Sequence, residues 1–217
     1  MPTWVITGAN RGLGLEFVKQ LVATGHTVLA GVRHPDSMGF EHAQMSVFQL
    51  DVASTTSVKE FAEHIKSVTD SIDVLVNNAG RMDGRWQSIE EVDPELSLDV
   101  LNVNTIGPLR VSQALWPLLQ GSTPTKIANI SSLMGSIDDC MSGRSYAYRT
   151  SKTGLNMNTV TEKQLEAIPG IGKKAAWNLI ASRAKLMCKQ ENPSLEAIFD
   201  AAKVNLDSTM LSVLSDK

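Results

Sequence analysis

Short apolar runs rich in β-branched residues alternate with amphipathic stretches, and this alternation narrows the possible folds more than any other feature of the chain. The runs are TWVITG (3–8), TVLAGV (27–32), MSVFQL (45–50), IDVLVNNAG (72–80) and KIANISS (126–132). Between them, segments such as GLGLEFVKQLVATG and SVKEFAEHIKSV place apolar residues three and four apart, the period of a helix with one buried face. Strand, helix and strand in repetition require parallel strands joined by helical crossovers. The expectation is therefore an α/β fold built on a doubly wound, Rossmann-type parallel sheet. One long apolar-faced helix, about Leu96 to Leu119, precedes the fifth run. After about Val160 no further β-branched run occurs, and the remainder reads as short helices joined by turns, an all-α segment. LEAI recurs at 165–168 and 195–198, a hint of a duplicated two-helix unit. The expected division is 1–159 and 160–217.

The 217 residues suffice for a real core, and 42% hydrophobic with 20% charged residues is the balance of a globular chain. No stretch approaches the ~18 to 20 apolar residues of a membrane span, and MPTWVITGAN has no basic region ahead of an apolar run, so a cytoplasmic protein is expected. Cys140 and Cys188 are too few for a disulfide framework, and His26, His34, His42 and His64 lack ligand spacing with them or with each other; no metal is expected. The net charge of -3 divides into -4 over residues 1–159 and +1 over 160–217, and neither part has the basic excess that drives binding to nucleic acid.

VITGANRGLG places Gly8, Gly12 and Gly14 between the first strand and the first helix. Glycine suits a tight turn whose backbone must approach a pyrophosphate, which the helix N-terminus then stabilises. The spacing Thr7, Gly8, three residues, Gly12, one residue, Gly14 resembles the short-chain dehydrogenase/reductase family. So do NNAG at Asn77–Gly80, NVNTIG at Asn102–Gly107, NISS at Asn129–Ser132, and Tyr148 followed four residues later by Lys152. RGLGLEFVKQL and YAYRTSKTGLN are similar in particular to the C-factor type of carbonyl reductase within that family. The resemblance covers about residues 3–158.

It implies that Gly8, Asn10, Arg11, Gly12, Leu13 and Gly14 cradle the phosphates of a dinucleotide. Asp51 and Val52 would meet its adenine, and Asn78, Ala79 and Gly80 would line the path of ribose and nicotinamide. An acidic residue ending the second strand would bind the ribose hydroxyls of NAD. The strand here ends AGVRHPD, with Arg33 at the turn and Arg11 in the glycine loop. Two guanidiniums suit a 2′-phosphate, so NADP is the expected cofactor, although Asp36 lies close by.

Carbonyl reduction needs a hydride donor, a hydrogen bond to the oxygen and a proton for the alkoxide. Tyrosine, with a reference pKa of about 10, is a poor proton shuttle at neutral pH. A lysine one helical turn away on the same face favours the phenolate, which gives the pair Tyr148 and Lys152 its chemical sense. Tyr148 is then acid for reduction and base for oxidation, with Ser132 bonding the carbonyl oxygen. The family pattern favours Ser132 over Ser131 and implies that Asn104 holds a water; Tyr146 lacks a lysine at the right offset. LMGSIDDCMSG, between Ser132 and Tyr148, reads as a loop over a site for an apolar carbonyl substrate. Family members often dimerise, so a homodimer is a further expectation.

The family's later strands, Pro-Gly loop and lid are not found after Asn158, which would leave the fifth strand at or near a sheet edge. Instead LEAIPGIGKKAAWNLIASR resembles a helix-hairpin-helix module, with Gly170 and Gly172 in the turn and Lys173 and Lys174 opening the second helix. Weak DNA contact through these residues is one implication, packing or protein docking another. Two readings follow: an NADP-dependent carbonyl reductase whose last third is replaced by a hairpin module, or a weak or dead nucleotide-binding domain tethered to a hairpin, for which a chimera is one explanation.

Overall fold

The central strands of the sheet, those beginning at Thr3, Thr27 and Val74, alternate their side chains between two apolar layers. Val5, Leu29 and Leu75 point into one core with Val58, Phe61 and Ile65, and with Val111, Leu115 and Leu119. Their neighbours Ile6, Val28, Ala30 and Val76 point into the other, with Val18 and Val22. Burial on both faces is what makes the runs read as continuously apolar rather than alternating.

The computed structural model describes residues 1–82, 87–122, 124–137 and 143–157. In order they form β1 (Thr3–Thr7), α1 (Gly12–Ala23), β2 (Thr27–Val32), β3 (Met45–Gln49), α2 (Thr55–Val68), β4 (Val74–Asn77), α3 (Pro94–Leu101), α4 (Gly107–Leu119), β5 (Lys126–Asn129) and α5 (Tyr146–Met157). All pairings are parallel, in the order β3-β2-β1-β4-β5. Thr3 pairs with Thr27, Val28 with Met45, Val5 with Leu75 and Val76 with Ala128. The doubly wound sheet read from the sequence is present, and β5 is outermost in the described sheet, with Lys126 and Ala128 exposed.

Elements start where side chains can satisfy the free N–H groups of a helix end. Ser54 accepts from the Ser57 N–H ahead of α2, and Asp93 from the Glu95 N–H ahead of α3, whose first residue is Pro94. Strand β4 is shorter than its apolar run because the chain turns at Asn78, whose N–H bonds the Val76 carbonyl at 3.1 Å.

The helix expected from Leu96 to Leu119 is two helices with a wider turn between them. Asn102–Ile106 is π-helical, and the Gly107 N–H reaches back five residues to the Asn102 carbonyl. Pro108 contributes to this break in register: without an N–H it cannot serve the carbonyl of Asn104, four residues earlier.

Residues 1–135 and 142–156 make one compact unit, to which these elements belong. The second, 136–141 with 157–217, falls almost wholly outside the described residues. The hairpin expected at Gly170, Gly172, Lys173 and Lys174, with both cysteines, therefore lies outside the described residues. Among the described residues no helix is long and apolar enough to cross a membrane.

Candidate active site

Strand order reverses between β1 and β4, and open α/β sheets bind ligands in the crevice at the carboxyl ends of the strands beside such a point. Here the glycine turn after β1 meets the NNAG turn after β4. The Thr7 hydroxyl accepts from the N–H groups of Asn78 and Ala79, each at 3.0 Å. The Asn78 side chain donates to the carbonyls of Thr7 and Gly8, each at 3.0 Å. Gly8, at φ +67, passes so near Ala79 that a Cβ would come within 2.8 Å of its Cα.

Gly12 differs: its φ is +55, and a Cβ there would meet nothing within 4 Å. Arg11 caps α1 without a side-chain hydrogen bond, and the first turn carries no acidic residue. Among the described residues no side chain meets the first N–H groups of this helix, and the space beside Gly12 is open, an arrangement suited to receive a phosphate. Asn10, Arg11 and Leu13 of the glycine turn and Arg33 after β2 are partly or fully exposed, and Asn10 donates to the Ser37 hydroxyl at 3.1 Å. Neither Arg11 nor Arg33 makes an ion pair among the described residues. Asp51 is occupied locally: its carboxylate accepts from the Ala53 N–H at 3.0 Å, and its N–H bonds the Ser57 hydroxyl at 2.9 Å. Val52 beside it is buried.

At the other end of the crevice Lys152 is buried on α5, donating Nζ to the Ile130 carbonyl at 2.7 Å and lying 5.8 Å from the centre of the Tyr148 ring. Burial holds its pKa below the ordinary lysine range. A Cβ on Gly80 would stand 3.8 Å from this Nζ and 3.5 Å from Oδ1 of Asn104. The structure therefore brings Gly80, Asn104, Tyr148, Lys152 and the end of β5 together. Ahead of α5, buried Ser145 holds a left-handed φ of 57, a strained conformation for a residue with a side chain.

The two serines separate by the fate of their protons. Ser131 donates to Oδ1 of Asn156 at 2.5 Å, whereas the Ser132 oxygen accepts from the Met134 N–H at 3.2 Å. Among the described residues the Ser132 hydroxyl has no acceptor for its proton. Asn104 is fully buried; its amide group donates to the Arg81 carbonyl at 2.7 Å and to the Ser151 hydroxyl at 2.9 Å, and its oxygen accepts from the Arg81 N–H at 2.8 Å. Both amide hydrogens are therefore committed to the fold. Near this side chain Pro108 leaves the main-chain carbonyl of Asn104 without its α-helical donor, as the bond of Gly107 to Asn102 does for that of Val103.

Several supporting residues had no role assigned from the sequence, although Asn77 and Asn102 open two of its motifs. Arg110, Asn102 and Ser151 hold the turn after β3 and Asn104, while Asn77 spans β4, α4 and β5 by donating to Ser112 at 3.1 Å and Asn129 at 2.9 Å. Their partners lie 8 to 58 positions away, so no local pattern says what they bond.

Comparison with known proteins agrees with this geometry. The model of the short chain dehydrogenase family matches residues 2–167. The chain is 31% identical over 165 residues to (+)-neomenthol dehydrogenase of Arabidopsis thaliana, covering 63% of this chain and 55% of that protein. It is 38% identical over 100 residues to the C-signal protein of Myxococcus xanthus, covering 46% of this chain and 58% of that protein. The crystal structure of an NADPH-bound carbonyl reductase from chicken fatty liver superposes with a TM-score of 0.66 at 31% identity, over 73% of this chain and 68% of that one. The chain spans between 55% and 66% of the length of the first curated relatives it matches.

Proposed function

As the chain belongs to the short-chain dehydrogenase family, an oxidoreductase family, we propose that it exchanges a hydride between NADP(H) and a carbonyl or alcohol substrate through Ser132, Tyr148 and Lys152. The observation that carries this reading is the buried ammonium of Lys152, held by the Ile130 carbonyl beside the Tyr148 ring and next to Gly80. A buried cation with one carbonyl partner is costly to maintain, and here it lies where a proton donor needs charge support.

The phosphates would lie at Gly8, Gly12 and Gly14 and the start of α1, where the open space over Gly12 fits them. Exposed Arg11 and Arg33 are free to bind a 2′-phosphate. The NADPH held by the chicken relative supports the same choice. Asp51 and Val52 would border the adenine, and Asn78, Ala79 and Gly80 the nicotinamide ribose. When bound, the cofactor supplies the hydride.

The chain's own groups manage the oxygen. Ser132 donates its free proton to the carbonyl oxygen, which polarises it and orients the substrate. Tyr148 gives its phenolic proton to the alkoxide as it forms, and the adjacent Lys152 charge stabilises the phenolate left behind. The Asn104 carbonyl, released by Pro108, is the group that would hold a water to return the proton.

Tyr148→Phe tests the mechanism. The variant should lose at least ~100-fold in carbonyl reduction while binding NADPH as the parent does, followed by energy transfer from tryptophan. Turnover equal to the parent's would exclude Tyr148 as the acid, and tighter binding of NADH than of NADPH would exclude the cofactor choice.

A further inference from the structure

A chain of side chains links the turn after β3 to the helix of Tyr148 and Lys152. Arg110 on α4 donates Nη1 to the Val52 carbonyl at 2.5 Å and Nη2 to Oδ1 of Asn102 at 2.9 Å. Asn102 in turn donates Nδ2 to the Ala53 carbonyl at 3.2 Å. Gly107 closes the same contact, since a Cβ there would lie 3.0 Å from Cγ2 of Val52. Asn102 and Gly107 flank the π-turn that carries Asn104, and Asn104 is bonded to Arg81 on one side and to Ser151, the neighbour of Lys152, on the other. Thr105 adds a second tie, donating its hydroxyl to the Ser151 carbonyl at 2.8 Å.

Resting on the nucleotide reading above, we propose that Arg110 is a positioning residue: through it, adenine seated at Asp51 and Val52 orders the π-turn, and with it Asn104 and the middle of the catalytic helix. The guanidinium is a rigid fork whose two bonds tie the turn after β3, at Val52, to the π-turn, at Asn102. A π-turn departs from the regular α-helical ladder, and Pro108 removes one more donor from it, so its shape depends on the side chains pinned to it. Order imposed at one end is order that the other end no longer has to supply, and such coupling is reciprocal.

The test divides the cofactor into two fragments. Adenosine 2′,5′-bisphosphate provides the adenine half and reduced nicotinamide mononucleotide the other. Each is titrated calorimetrically into the full chain, alone and with the other at saturation. Each fragment should tighten the other by about tenfold in the parent, by less than about twofold in Arg110→Met, and by an intermediate factor in Arg110→Lys. Fragments that bind the parent independently overturn the proposal without any variant, which covers the case in which Arg110→Met does not fold. Undiminished coupling in a folded Arg110→Met also overturns it. Failure of both fragments to bind the parent overturns the nucleotide reading itself, a distinct outcome.

Discussion

Gly12 and Gly14 stand two residues apart and are glycine for different reasons. A Cβ on Gly14 would lie 2.3 Å from the Gly8 carbonyl oxygen and 2.5 Å from Nδ2 of Asn78, so Gly14→Ala should push apart the two turns that build the site. We expect that variant to lose both thermal stability and NADPH binding. Gly12→Ala meets no neighbour but forces a side chain to φ +55, a cost of about 1 to 2 kcal/mol. It should fold with a modest loss of melting temperature yet bind NADPH poorly, because its methyl enters the phosphate space. Undiminished affinity would place the phosphates elsewhere. Lys152 makes a pH prediction. Burial lowers its pKa, so its charge is lost at a lower pH than that of an exposed lysine. The alkaline limb of kcat should accordingly begin below the ordinary lysine value of 10.5, and a rate that holds beyond it would count against a role for the charge.

Helix α2 shows how an element is held. Its apolar face presents Val58, Phe61 and Ile65, all buried, while Lys59, Glu60, Glu63 and Lys66 face solvent. Phe61 meets Phe48 of β3 edge to face, with ring centres 6.2 Å apart. Phe61→Ala should cost roughly 3 to 5 kcal/mol, read by denaturant midpoint; a loss under about 1 kcal/mol would mean that the layer refills the space. The existence of this helix was legible because its periodicity is local. The division between α3 and α4 was less so: the apolar spacing from Leu96 to Leu119 is nearly continuous, and a π-turn adds a single residue to one turn. Pro108 was the available signal, but a proline near a helix start is also unremarkable.

Across the whole unit, Asp73 fastens the amino ends of the sheet opposite the site. Its carboxylate accepts from the Thr3 N–H at 2.6 Å and from the Ser122 hydroxyl. Its main chain bonds Thr3 and Lys126, so β1, β4 and β5 share this one residue. The Ser122 and then the Thr3 hydrogen bonds lower its pKa below 3.8, outweighing the opposing effect of burial. The folded state thus favours the ionised form. The stabilisation is complete above the unfolded value and is lost as pH falls through the depressed folded one. Asp73→Asn should be less stable than the parent at neutral pH, and the gap should narrow on acidification from about pH 5 downward. A gap independent of pH would assign the loss to geometry rather than charge.

What the sequence determined by itself was whatever short-range pattern can carry. Strand and helix runs repeat locally, the glycine spacing announces a tight turn before a helix, and Tyr148 with Lys152 is a one-turn pair. Those signals yielded the parallel sheet and the family, and they named the site residues on which the proposed function rests. Only the tertiary structure decided which serine keeps its proton free, that the Asn104 side chain is spent on Arg81 and Ser151, and that Arg110 and Asn102 grip the turn after β3. The physical reason is that a buried polar group must find partners wherever the fold brings them. Periodicity reports which face of an element is buried, but not which distant carbonyl will meet a given amide.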